Sequence, residues 1–199
     1  MSRGRRSSSR RFVLPVASES TAIPQILPSS ARILGLDPGS IVTGYAVIDC
    51  VGPKSSYVAS GSIRTSGEVF TERLKIIYDA VAKLAQDWQP QEVSIERVFM
   101  HRNADSAIKL GQARGAALCG SFAVAPIVFE YSAREVKQAV VGTGAAQKDQ
   151  VQLMVKHLLG LRGEIAPDAA DAIAIALCHA HTRRMQSLLS QPARAGATR

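Results

Sequence analysis

The stretch Arg32-Ile-Leu-Gly-Leu-Asp-Pro-Gly-Ser40 constrains the fold more than any other part of this 199-residue chain. Ile33, Leu34 and Leu36 form an almost unbroken apolar run, the mark of a strand covered on both faces rather than one with a face in water. Pro38-Gly39-Ser40 ends it with turn residues, and Thr43-Gly-Tyr-Ala-Val-Ile48 resumes β character after a gap short enough for a hairpin. A central strand thus delivers the carboxylate of Asp37 to a tight turn. Taken alone, Asp37 is accounted for by capping that turn through its side chain. A chemical role depends on what else reaches the same edge.

Ser55 to Arg64 reads as a third strand and completes an antiparallel meander. Phe70, Leu74, Ile77, Val81, Leu84 and Trp88 then recur at spacings of three and four, which predicts an amphipathic helix ended by Pro90. Glu92-Val-Ser-Ile-Glu-Arg97 supplies a fourth strand. Reached through a helix, it returns parallel to a central neighbour and brings Glu96 out at the same sheet edge as Asp37.

Asn103 is placed to cap a helix over Ala104–Phe122, rich in small residues such as Gly111, Gly115 and Gly120. Such a helix suits close approach, either within the molecule or against a second subunit. Ile127 to Glu130 forms a fifth, short strand, followed by helices over Ser132–Val141 and Gln147–Leu159. The Gly-Thr-Gly between them follows no strand and is a hinge or turn rather than a phosphate loop. The last helix opens at Pro167-Asp-Ala-Ala-Asp171. Asp168 and Asp171 complement the helix dipole there, but their spacing also puts both on one face, and the Ala-rich body lets the helix lie close to a sheet. The class is α/β, a five-stranded sheet with flanking helices.

A content of 46% apolar and 20% charged residues suits one domain with tails. We expect a disordered basic extension over 1–31, a folded domain over 32–182 and a flexible basic tail over 183–199. The extension fits a transit peptide, a DNA-binding arm or a dispensable leader, the last being favoured. The formal charge of +8 is concentrated in these ends, and residues 32–182 hold 15 basic and 15 acidic residues, so charge alone does not specify a nucleic-acid partner. No run reaches the length of a bilayer span and no secretory block opens the chain. Cys50, Cys119 and Cys178 are widely spaced and read as structural. Cys178-His-Ala-His181 reads as an ordinary helix end rather than a metal cluster.

If Asp37, Glu96, Asp168 and Asp171 converge, the site is oxygen-only and strongly anionic. Like charges about 4 Å apart repel by roughly 4 kcal/mol at an effective dielectric near 20, so such a cluster takes up protons or hard cations. Mg²⁺ or Mn²⁺ suits the donor set, and two such ions support hydrolysis of a phosphodiester. Phe99, flanked by Arg97 and Arg102, is suited to stacking on an unpaired base while the guanidiniums meet phosphates. It also suits a hydrophobic staple at the start of the next helix. Lys137 and Lys148 follow a nucleic-acid backbone, neutralise charge at the scissile phosphate, or are ordinary exposed lysines.

Gly35-Leu-Asp-Pro-Gly-Ser, Thr43-Gly-Tyr, Ile95-Glu-Arg-Val-Phe, Asn103-Ala-Asp-Ser-Ala, Lys109-Leu-Gly-Gln-Ala-Arg-Gly115, Val136-Lys-Gln-Ala-Val-Val-Gly142 and Asp168-Ala-Ala-Asp-Ala form an ordered series. Over residues 32–182 it resembles the RuvC family of bacterial crossover-junction endonucleases, the Holliday junction resolvases. The resemblance implies a ribonuclease H-like fold with a five-stranded mixed sheet, and a cytoplasmic homodimer that nicks two strands of four-way junction DNA symmetrically. It implies that Asp37, Glu96, Asp168 and Asp171 are catalytic and hold two Mg²⁺ ions, with Mn²⁺ as a substitute and Asp37 a ligand to both. Phe99 would stack on a base near the opened crossover, Lys137 and Lys148 would contact DNA near the cut, and helix 104–122 would lie at the dimer interface. The branch-migration proteins RuvA and RuvB are the implied partners, with no membrane involved.

A related nuclease acting on ribosomal RNA precursors would share the first Asp and the sheet, but should lack the Phe99 loop and the Asp168/Asp171 pair. An actin-like ATPase needs two such halves. A catalytically silent DNA-binding module is disfavoured by four intact acids.

Overall fold

In the computed structural model the chain is described over residues 27–97, 103–124 and 126–189. Five strands, β1 (Ser30–Asp37), β2 (Val42–Val51), β3 (Lys54–Arg64), β4 (Glu92–Glu96) and β5 (Ile127–Tyr131), form one sheet in the order β3-β2-β1-β4-β5. The first three make the antiparallel meander, with a register shift between Val47 and Ile48 against β3. β4 lies parallel to β1 and β5 parallel to β4. This is the mixed sheet expected from sequence, with β1 at its centre.

Alternation along β1 divides the core. Leu34 and Leu36 join Val47, Val93 and Ile95 on one face, covered by α1 (Phe70–Trp88) and α2 (Ala104–Ser121). Ile33 joins Ala46, Ile48 and Phe129 on the other, beneath α3 (Ala133–Val141), α4 (Lys148–Leu159) and α5 (Pro167–Leu189). β1 is buried along nearly all its length, as its continuous apolar run requires.

Local signals set the helix ends. Gln89 takes a left-handed conformation at the end of α1, just ahead of Pro90. The Asn103 side chain accepts hydrogen bonds from the backbone N–H groups of Asp105 and Ser106 at the start of α2. Ser132 and Glu135 form a capping box on α3, and Gly142 closes that helix at φ 86°. The Gly-x-Gly segment is thus a turn.

α5 differs from expectation at its far end. It continues past the 182/183 boundary to Leu189, and Arg183, counted with the flexible tail from sequence, is 5% exposed. Its guanidinium lies 2.5 Å from Glu92, and a buried ion pair holds the helix to the sheet where composition suggested a solvated tail. His179 is likewise fully buried rather than part of a helix end. Cys50 and Cys178 are buried as expected, whereas Cys119 is exposed on α2. Among the described residues no helix is long and apolar enough to cross a membrane. Residues 1–26, Phe99, His101 and Arg102 lie outside the described residues.

Candidate active site

Asp37 and Glu96 are the last residues of neighbouring parallel strands, whose register pairs Leu36 with Ile95. Alternation turns both carboxylates to the α5 face, opposite Leu36 and Ile95. α5 meets that edge with its first two turns, which carry Asp168 and Asp171.

Two glycines let it come so close. A Cβ on Gly35 would lie 2.4 Å from the carbonyl oxygen of Ala172, and one on Gly44 would lie 2.0 Å from that of Asp168. Any side chain at either strand position would push the acid-bearing turns off the sheet. The turn after Asp37 is fixed by Thr43, fully buried. Its hydroxyl donates to the carbonyl of Gly39 at 3.0 Å and accepts from the Gly39 N–H at 3.3 Å.

Asp37, Glu96 and Asp171 line a cleft of about 210 Å³ together with Lys137 and Lys148, with Val151 and Ile175 in its apolar wall. Asp168 is not in that lining, but its charge acts on Asp37. Burial pushes Asp37 up to about 7, with the like charges of Asp171 and Glu96 adding to the effect and Lys148 opposing it. Glu96 is raised too, first by burial and then by Asp171, with Asp37, Lys137 and Lys148 acting the other way. These are the signs of carboxylates short of positive charge.

Lys148 supplies part of it. Its Nζ lies 2.8 Å from Asp171 Oδ2, and its own pKa is raised, chiefly by that hydrogen bond. Among the described residues, no three His, Cys, Asp or Glu side chains form a ready metal-binding set. An all-oxygen set in which burial and mutual repulsion drive Asp37 toward neutrality does fit a hard divalent cation. Asp37, Glu96, Asp168 and Asp171 are the residues that would hold it.

Arg97 stands at the rim, largely exposed, where its Nη2 donates to Glu135 at 2.7 Å. Sequence reasoning passed over Arg114. Its Nε donates to the backbone carbonyl of Glu96 and its Nη2 meets Glu130 at 2.9 Å, fixing the end of β4 from α2. Its one signal was a guanidinium amid small residues, in Gly-Gln-Ala-Arg-Gly. Thr43 had only its place after the Pro-Gly turn.

A family profile described as crossover junction endodeoxyribonuclease RuvC matches residues 33–179. The chain belongs to the RuvC family. A crossover junction endodeoxyribonuclease RuvC from Shewanella piezotolerans is 54% identical over 167 residues, 84% of this chain and 95% of that protein. The one from Methylococcus capsulatus is 51% identical over 82% of this chain and 98% of its own length. Among solved structures, Thermus thermophilus RuvC in complex with Holliday junction substrate superposes with a TM-score of 0.73 at 34% identity, covering 79% of this chain and 97% of that one. The yeast mitochondrial resolvase Ydc2, at 14% identity and a TM-score of 0.62, shares the fold. That fold is ribonuclease H-like, and the family is one of metal-dependent nucleases.

Proposed function

We propose that this protein resolves Holliday junctions, hydrolysing one phosphodiester in each of two opposed strands of four-way DNA. The observation that carries this reading is the meeting of Asp37, Glu96 and Asp171 with Lys137 and Lys148 in one cleft, in a chain whose relatives are crossover junction endodeoxyribonucleases. Asp37, Glu96, Asp168 and Asp171 are the proposed catalytic residues and metal ligands, and Mg²⁺, two ions per subunit, is the proposed cofactor, replaceable by Mn²⁺. A divalent cation bound there supplies Lewis acidity toward an attacking water and the leaving oxygen.

The chain's own residues do the rest. Asp37 and Glu96, held at adjacent strand ends, keep a fixed spacing while α5 sets the other two acids against them. Lys137, half-buried in the cleft, and Lys148, exposed at the start of α4, are the proposed contacts to DNA close to the cut. Phe99 is the proposed stacking residue at the opened crossover, with Arg97 and Arg102 beside it on phosphates. Arg97 must first leave Glu135 for that role.

A homodimer is proposed through α2. Gly111 and Gly115 have nothing within 4 Å of where a Cβ would sit, and Ile108 is 61% exposed, so that face leaves room for close backbone approach by a second copy. RuvA and RuvB are the proposed partners, and the bacterial cytoplasm the proposed compartment.

The test is Mg²⁺-dependent cleavage of a synthetic four-way junction beside a linear duplex of the same sequence, with Asp37→Asn as control. Paired symmetric nicks in the junction alone, absent from the variant, are expected. Binding without cleavage would leave a silent DNA-binding module, and cutting of single-stranded RNA instead would point to an RNA-processing nuclease.

A further inference from the structure

Lys148 is the first residue of α4. A cation there faces the positive end of the helix dipole, so helix stability does not explain a lysine at this position. Gln150 already caps the turn by accepting from the Gln147 N–H at 2.8 Å. What the ammonium does satisfy lies across the cleft, at 2.8 Å, on Asp171 of α5. The two partners differ in freedom. The Asp171 carboxylate is 24% exposed on a helix packed into the core, whereas the Lys148 side chain is 62% exposed on a flexible stem. Lys148 is therefore the partner that can leave.

Its charge also acts on Asp37, Glu96 and Asp168. One exposed ammonium thus acts on all four carboxylates, from the position of a counter-ion. Lys137, the other lysine of the cleft, acts on Glu96 through its charge from α3.

We propose that Lys148 is a built-in counter-ion of the metal-free site, which a divalent cation must displace from Asp171, so that metal loading frees its ammonium for the DNA backbone. The proposal rests on the reading of these acids as metal ligands. It makes the lysine a competitor of the metal as well as a DNA contact, and so ties the readiness of one DNA-binding charge to the loading of the site. Without Lys148 the charge of Lys137 is what remains in the cleft to oppose the carboxylates, and the cation enters without displacing anything. Its affinity then rises, because both the ion pair to be broken and a like charge beside the site are gone.

The experiment is a calorimetric titration of the full-length protein with Mg²⁺ in the absence of DNA, comparing wild type, Lys148→Met, Lys148→Arg and Asp37→Asn, with thermal unfolding of each before and after saturation. Lys148→Met is expected to bind Mg²⁺ about five- to tenfold more tightly, within the usual range for coupled sites. Its metal-free melting temperature should be lower and its metal-induced shift larger than in wild type, with Lys148→Arg near wild type in both. Unchanged or weaker Mg²⁺ binding by Lys148→Met, with wild type binding normally, overturns the counter-ion role. Binding that is absent from wild type, or undiminished in Asp37→Asn, overturns the assignment of the acids as metal ligands, a separately visible result.

Discussion

The carboxylate of Glu92 and the imidazole of His179 meet at 2.7 Å, 1% and 0% exposed, at the opposite end of β4 from the acids of the cleft. Glu92 and Glu96 share one face of the strand, and α5 runs antiparallel above it, so His179 lies over the first acid and Asp171 over the second. Arg183 closes the pair from α5 and also donates to the carbonyl of Pro28 at 2.9 Å. Phe129 stacks on the imidazole with ring centroids 4.1 Å apart.

Burial lowers the His179 pKa, and the neutral ring then donates through Nε2 to Glu92 and accepts at Nδ1 from the Tyr131 hydroxyl, 2.7 Å away. For Glu92, burial acts upward but is outweighed by hydrogen bonds from His179 and Arg183, and its pKa falls. Removing that carboxylate leaves Arg183 buried without its counter-charge. Glu92→Ala is expected to cost about 3–5 kcal/mol, read from urea unfolding at neutral pH. A loss below about 1 kcal/mol would mean the pair is not structural.

Asp37 gives the metal-free protein a pH dependence of its own. Its folded pKa of about 7 stands above the ordinary carboxylate value, so the folded state holds a proton that the unfolded state has already released. Stability therefore falls as pH rises from about 4 to about 7. His179 acts with the opposite sign, since its depressed pKa removes stability as pH falls below about 6.5. Asp37→Asn cancels the first slope only. Metal-free Asp37→Asn is expected to be more stable than wild type at pH 8 by about 2–4 kcal/mol, with the gain shrinking toward pH 4. Equal stability at both pH values would show that the carboxylate is not strained.

Much of this architecture was legible because it rests on periods. The continuous apolar run of β1, the helical spacing from Phe70 to Trp88 and the Pro167 opening of α5 each specify an element, and parallel return through a helix places Glu96 beside Asp37. What sequence concealed depends on distant partners. Arg183 reads as the start of a basic tail until Glu92, far away in the chain, is seen to bury it. Gly35 and Gly44 read as ordinary strand glycines until α5 is laid across them, and Arg114 shows no purpose until the end of β4 is placed under it. Cys119 follows the same rule in reverse, since burial of a cysteine depends on which face of α2 meets α1.

Gly44 is where packing and chemistry are most tightly joined. A methyl group on it would meet the Asp168 carbonyl at 2.0 Å, and since both are backbone-bound, relief requires α5 to move. Gly44→Ala is expected to cost about 1–3 kcal/mol in stability but to reduce junction cleavage by about 10²-fold, because a displacement of about 1 Å at a catalytic group has that effect. Junction binding, measured by gel shift, should change little. Cleavage near the wild-type rate would show that the position of Asp168 is not critical.

Thr43 tests the same edge from the strand side. Its hydroxyl is engaged twice by the backbone of Gly39, and valine keeps its shape while removing both contacts. The orphaned groups are the N–H and carbonyl of the turn that follows Asp37, and leaving them unpaired costs about 1–3 kcal/mol. Because the strain falls on the turn rather than the core, the native strand order should survive, and the loss should concentrate where Asp37 is aimed. Thr43→Val is expected to lower the single-turnover cleavage rate by at least about tenfold at saturating junction, while Thr43→Ser, which keeps the hydroxyl, retains most of it. If valine keeps the wild-type rate while serine loses it, the side chain acts through its methyl packing, and the turn is held by the sheet alone.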